Sequence, residues 1–242
     1  HFKGRASSCS MKPNRPYCLV TAGTDDSKLL LHSGPPFQKV AVQDGIPHET
    51  AHTKGAVQCV RYSHSGSLVA SVGTDRTLCL YDGKTLELLS KSETIHAATI
   101  YSVAWSNDDS HLLTASGDGT CKLWKIVDTN KVETSKMWNV AEHQAKGAFT
   151  KVPVGGSQVG CGFLQGDKPV SVSLNGQLSI LGDTIKTITG HNAPIADCVV
   201  DRANSVFYTA DTDGIMCKWD LKSVQPIRRL ELNNNDDLMY VV

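Results

Sequence analysis

The chain has 242 residues, with 24 Lys+Arg against 24 Asp+Glu and a formal net charge of zero; 40% of it is hydrophobic and 20% charged. That balance offers no electrostatic case for nucleic acid or an anionic membrane as partner. The hydrophobic content suits a folded domain with its own core, yet no apolar run approaches the ~20 residues that a membrane helix needs.

From the N-terminus onward, apolar residues fall in short runs of four to six, such as VQCVRY (57–62), LVASV (68–72), HLLTA (111–115) and VFYTA (206–210). They are rich in β-branched and aromatic types, and the turn sequences SHSG, GTDR, SNDD, GDG and TDG separate them. Such runs predict short strands. No stretch keeps a 3.6-residue period with caps, so no helix is predicted.

These runs belong to a repeat. The first copy is weak: His1 opens it, Asp26 follows 25 residues later, and His32 stands six beyond. The second (His52 to Asp82) and third (His96 to Lys125) are clear. His52 precedes Asp75 by 23 residues, His96 precedes Asp118 by 22, and Tyr81 and Trp124 each follow their Asp by six. The fourth is degenerate, because SVSLNGQLSIL puts Asn175 in the Asp place and Leu181 in the aromatic place. The fifth is clear again, with His191 22 residues before Asp213 and Trp219 six after it. Repeats thus start near residues 1, 52, 96, 150 and 190 across 1–242, and residues 233–242 open a further one. Asp75 and Asp118 are 43 residues apart, within the ~40–45-residue period of WD repeats. The prediction is an all-β chain, a β-propeller built of WD repeats with about five four-stranded blades.

In each clear copy a Ser or Thr lies four residues before the Asp: Ser71, Thr114 and Thr209. Buried polar groups must be paired, so one hydrogen-bonded chain per blade is predicted. The sets are His52–Ser71–Asp75–Tyr81, His96–Thr114–Asp118–Trp124 and His191–Thr209–Asp213–Trp219. A catalytic Ser–His–Asp set needs one strained, solvent-facing nucleophile beside an oxyanion site. A constellation repeated three times at one offset reads as scaffold instead, so no enzymatic activity is expected.

The Gly-rich spots GTDD, SGDGT and VPVGGS lack the Lys-Ser/Thr of a phosphate loop. The histidines show no metal spacing, and the acidic residues form no calcium loop. No cofactor, metal or small-molecule substrate is predicted. The eight cysteines contain no C-x-x-C pair and read as reduced thiols on separate strands. The least repeat-like segment, Asp128 to Gly156, reads either as a long inter-blade connection or as a binding loop.

Beyond the generic repeat, several stretches resemble the actin-interacting protein 1 family of WD-repeat proteins. They are MKPNRPYCLVTAGTDDSKLLLHSGPPF (Met11 to Phe37), YDGKT (Tyr81 to Thr85), SGDGTCKLWK, QVGCGF (Gln158 to Phe163) and the degenerate SVSLNGQLSIL. The resemblance runs in order from His1 to about Leu232. It departs where GPPF continues with Gln38, Lys39 and Val40, and where a longer connection containing Trp138 precedes QVGC.

The resemblance implies part of a seven-bladed propeller or of tandem propellers. It also implies a cytoplasmic, cytoskeletal protein whose partners are actin filaments and ADF/cofilin. Candidate contacts carried over from the family's first-propeller surface are Asp26, Gly34, Pro35, Pro36, Phe37 and Lys39. Phe37 can equally pack between blades, and Asp26 can be the turn Asp of its own blade. The alternative function is a WD-repeat scaffold for another multiprotein complex, since a fold does not fix its function.

Overall fold

A computed structural model describes residues 5–24, 27–39, 52, 55–128, 131–140, 156–164, 166–189, 191, 193–201, 206–220 and 226–231. His1, Asp26, the side chain of Lys39 and the tail 233–242 lie outside the described residues.

Every regular element described is a strand, and the strands form five four-stranded antiparallel sheets, each a simple up-and-down meander. Blade 1 holds β1 (Ala6–Met11), β2 (Cys18–Gly23), β3 (Leu29–Ser33) and β4 (Gln38–Lys39). Blade 2 holds β5 (Val57–Tyr62), β6 (Leu68–Gly73), β7 (Leu78–Asp82) and β8 (Leu88–Ser92). Blade 3 holds β9 (Ile100–Trp105), β10 (His111–Ser116), β11 (Thr120–Asp128) and β12 (Lys131–Asn139). Blade 4 holds β13 (Gln158–Phe163), β14 (Pro169–Ser173), β15 (Gln177–Leu181) and β16 (Ile185–Thr189). Blade 5 holds β17 (Ile195–Asp201), β18 (Val206–Asp211), β19 (Ile215–Asp220) and β20 (Pro226–Glu231). This is a β-propeller arrangement of WD repeats.

The core lies between sheets rather than within one. Middle strands are buried on both faces, as in β6, where Leu68 to Gly73 are all buried. Each of blades 2 to 4 packs one face on the blade before it and the other on the blade after. Val20, Ala22 and Leu31 of blade 1 meet Val57, Val60 and Tyr81 of blade 2. Cys59, Ala70, Val72 and Leu80 of blade 2 meet Ile100, Trp105 and Trp124 of blade 3. Leu113 and Cys121 of blade 3 meet Phe163 and Leu181 of blade 4; Val172 and Leu178 of blade 4 meet Phe207 and Trp219 of blade 5. Each such buried side chain stabilises the stack by roughly 1.5–3 kcal/mol.

The first strand of every blade carries an irregularity at the same place. The register shifts at Ser7, Gln58, Tyr101, Val159 and Ala196. A bulge re-aims its extra residue, and all five line one open space of about 700 Å³ bounded by the inner strands.

The segment from Asp128 calls for a correction. Residues 131–139 are neither connection nor loop but β12, the outer strand of blade 3, paired along nearly all of β11. An outer strand has one edge and much of its surface in water, so KVETSKMWN shows little apolar alternation and escapes a pattern search. Residues 141–155 lie outside the described residues.

Candidate functional site

The polar chains sit in the faces that each blade turns toward its predecessor. In blade 2, His52 Nδ1 stands 2.9 Å from Asp75 and Nε2 2.7 Å from Ser71 Oγ, with Tyr81 Oη 3.4 Å further on. In blade 3, His96 Nδ1 is 3.1 Å from Asp118 and Nε2 2.8 Å from Thr114 Oγ1, to which Trp124 Nε1–H donates at 3.0 Å. The ionised carboxylate only accepts and the indole only donates. The indole therefore donates to Thr and the His Nδ1–H to Asp, and in the neutral ring Nε2 is left to accept from the Thr hydroxyl.

Burial pushes the carboxyls of Asp75 and Asp118 up, but the hydrogen bonds outweigh it. The His52 ring and Thr77 hold Asp75 below the usual carboxylate range; the His96 ring, Thr120 and the Ala97 amide do so for Asp118. The Ser71 and Thr114 hydroxyls are fully buried, so neither can meet a substrate.

Blade 5 corrects the spacing. His191 Nε2 is 2.6 Å from Thr209 Oγ1, and Trp219 Nε1–H donates to that oxygen at 2.8 Å. The carboxylate on His191 Nδ1, at 2.8 Å, is Asp211 rather than Asp213. Asp211 lies two residues after Thr209 and so on the same face of β18. Gly73 and Ser116 hold that place in blades 2 and 3 and bring no carboxylate there. Asp213 is exposed in the turn, and its N–H donates to Asp211 at 3.1 Å.

Blades 1 and 4 vary the theme. In blade 1, His32 stands in the aromatic place, its Nε2 3.1 Å from Thr21 Oγ1. In blade 4, Asn175 accepts a hydrogen bond from Ser173 Oγ. Leu181 is buried against Trp138 of β12, and the Trp138 Nε1–H donates to the Gly182 carbonyl at 2.7 Å. The outer strand of the blade before thus brings an indole against blade 4, bonded to its backbone rather than to the Ser171 hydroxyl. Among the described residues, Gln158 Oε1, Ser171 Oγ and both amide atoms of Gln177 are buried without a hydrogen-bond partner.

At the opposite end of the strands, turns clasp neighbouring blades. Asp109 accepts the His64 and Ser65 amides at 2.7 Å each, and His64 Nδ1 at 3.0 Å. Asp167 accepts Asn107 N and Nδ2, both at 2.8 Å. The two acids share the left-handed region, φ 59° and 54°, which Asp tolerates better than most residues. Nothing in the repeat spacing announced these clasps; a shared left-handed turn position is visible only in the backbone.

The Gly34–Phe37 turn lies at this same end. Pro35, Pro36 and Phe37 are exposed, Phe37 by 43%, so Phe37 projects outward rather than packing between blades. The Gly34 N–H donates to the Tyr17 carbonyl at 3.2 Å, which joins this turn to the one at Lys12–Tyr17. The Lys12 N–H closes that second turn on Cys18 O at 2.8 Å, and Asn14 Nδ2 donates to Ser65 O of blade 2 at 3.0 Å. Sequence reading singled out the KPNRPY stretch for its likeness alone and named none of its side chains as contacts. The structure leaves its Arg15 and Tyr17 exposed.

Among the described residues, no group of three His, Cys, Asp or Glu side chains could hold a metal ion. No helix among them is long and apolar enough to cross a membrane. All eight cysteines are free thiols.

Comparison with known proteins agrees with the repeats. The WD domain, G-beta repeat family matches residues 46–82, 89–125 and 182–220. Actin-interacting protein 1 of Drosophila melanogaster is 33% identical over 221 residues, 88% of this chain and 33% of that protein. WD repeat-containing protein 1 of Xenopus tropicalis is 32% identical over 254 residues, 96% of this chain and 38% of the relative. The Gallus gallus protein of the same name is 33% identical over 224 residues. The chain spans about a third of the length of these relatives. With the propeller blades and the ordered likeness through the degenerate fourth repeat, the chain belongs to the WD-repeat family that includes actin-interacting protein 1 and WD repeat-containing protein 1.

Proposed function

We propose that the protein of which this chain is part is an actin-cytoskeleton regulator that binds cofilin-decorated filaments and promotes their disassembly. The observation that carries the reading is likeness to a relative named for interacting with actin, sustained over 88% of this chain. Its partners are actin filaments and ADF/cofilin, and its place is the cytoplasm, on the cytoskeleton. The mechanism is differential binding. A rigid surface that favours the cofilin-altered filament shifts it toward severed or capped states by the difference in affinity alone, with no covalent step.

The exposed turn Gly34–Phe37, with Asp26 and Lys39 beside it in sequence, is the contact this reading favours. The test is cosedimentation of the full-length protein with actin filaments, with and without cofilin, alongside filament length by microscopy. Weak binding alone, stronger binding with cofilin, and filament loss only in the second case are expected. Charge reversal at Asp26 or Lys39 weakens the effect and leaves thermal stability nearly unchanged. Protein that neither pellets with decorated filaments nor alters their length returns the chain to the reading of a scaffold for another complex.

A further inference from the structure

Three of the large apolar side chains that stand out into solvent gather at one corner of blade 1: Met11, Tyr17 and Phe37, exposed by 58%, 38% and 43%. The Lys12–Tyr17 and Gly34–Phe37 turns present Tyr17 and Phe37, held together by the Gly34–Tyr17 backbone bond, and Met11 ends β1 where the first turn begins. The corner is braced from beneath. Lys12 is buried, and its chain runs so close to Gly66 of blade 2 that a Cβ there would meet it at 3.0 Å. Pro13, Pro16, Pro35 and Pro36 fix their own φ, so little further chain entropy is lost when the corner is covered.

One charge marks it. The Arg15 guanidinium lies 5.7 Å over the Tyr17 ring. Stacked this way it keeps its edge of N–H donors for a carboxylate. Arg with rigid aromatics is the composition that dominates binding energy at protein interfaces.

We propose that Arg15 and Tyr17 anchor a docking corner for a protein surface that carries a carboxylate beside apolar side chains. The inference rests on the actin reading, which makes that surface part of the cofilin-decorated filament. The cation over the ring takes the carboxylate, and Tyr17 and Phe37 cover the apolar neighbours.

The test is cosedimentation of full-length protein with cofilin-decorated filaments, comparing wild type, Arg15→Glu, Arg15→Lys, Tyr17→Ala and a control, Lys84→Glu, on the exposed turn of blade 2. Thermal unfolding is followed in parallel. Arg15→Glu weakens binding about tenfold or more and Tyr17→Ala about fivefold or more. Arg15→Lys keeps the charge but loses the planar fork and falls between. Lys84→Glu binds as wild type, and melting is unchanged for the Arg15 variants, which alter only an exposed turn. If wild type binds and Arg15→Glu and Tyr17→Ala bind equally well, the corner is wrong and the actin reading stands. If wild type ignores the filaments, both fall together.

Discussion

Asp118 and its counterparts in blade 5 provide a sharp test of the polar chains. The Asp118 carboxylate accepts from His96 Nδ1 at 3.1 Å, Ala97 N at 2.8 Å, Thr120 N at 2.9 Å and Thr120 Oγ1 at 2.6 Å. Its side chain is 12% exposed and that of His96 is 0%. Asp118→Ala removes the carboxylate that gathers these donors; His96 Nδ1–H keeps only Thr120 Oγ1, at 3.0 Å, while Ala97, on an exposed residue, turns to water. The lost charge-assisted bonds cost about 1.5–2 kcal/mol. In blade 5 both partners are 0% exposed, so Asp211→Ala costs more, about 3–4 kcal/mol. Asp213→Ala removes an exposed side chain and stays within about 0.5 kcal/mol of wild type. Urea unfolding of the full-length protein reads these as midpoint shifts at constant slope. A damaging Asp213→Ala together with a neutral Asp211→Ala would refute the assignment and restore the order that repeat spacing alone suggests.

Acid should act through the same carboxylates. Asp75, Asp109 and Asp118 are held below the usual carboxylate range in the fold. The stability they contribute is fully present above about pH 4 and is lost as pH falls through their folded values. Asp118→Asn should flatten that acid limb, and an unchanged pH profile would count against the pairing. Trp138→Ala should cost about 3–5 kcal/mol, while Trp138→Phe, which keeps most of the packing and loses the bond to Gly182, should cost about 1 kcal/mol; denaturant midpoints decide, and a harmless Trp138→Ala would show that blade 4 does not depend on it. Burial pushes the Cys79 and Cys121 thiols up to about 12, whereas Cys9 is exposed. Timed titration with a thiol reagent should therefore find Cys9 reacting first in native protein and all eight after unfolding, and fast labelling of Cys121 would contradict its placement.

The fold was legible because the repeat spacing is a packing constraint. Thr209 to Trp219 spans the ten residues that bring a β18 hydroxyl and a β19 indole to one face, and Thr114 to Trp124 does the same in blade 3. Such offsets survive in sequence because one residue of slip would turn every side chain to the other face. Blade 1 shows the limit, since its turn is one residue longer and His32 rather than Leu31 bonds Thr21. Asp211 escaped because counting from His191 favours a fixed distance, whereas the backbone asks only for a carboxylate on Thr209's face. β12 escaped because an edge strand needs no apolar pattern. The corner on blade 1 was marked only by likeness, because exposure is a property of neighbours that no local run of residues encodes.

The two sets of residues also stand at opposite ends of the strands, and this separates what holds the blades from what can recognise a partner. In an antiparallel meander, the connection between second and third strands lies at one end, and those between first and second and between third and fourth lie at the other. Asp75, Asp118 and Asp211 belong to the first end. Lys12–Tyr17, Gly34–Phe37 and the clasping Asp109 and Asp167 belong to the second. A strand of about six residues puts ~17–20 Å between them. A substitution in the His–Ser/Thr–Asp chains therefore reaches the corner only by loosening the blade stack, and one at Arg15 or Phe37 leaves the chains untouched. Blade 4 shows how much the stack tolerates: it has neither a carboxylate nor an aromatic in the network places, yet it keeps its seat through Phe163, Leu181 and the Trp138 bond to Gly182. The polar chains fix which way a blade's strands face, and neighbouring surfaces can make up a missing member. Recognition draws on the turns, where side chains such as Arg15 and Phe37 meet solvent and no packing partner dictates what they must be.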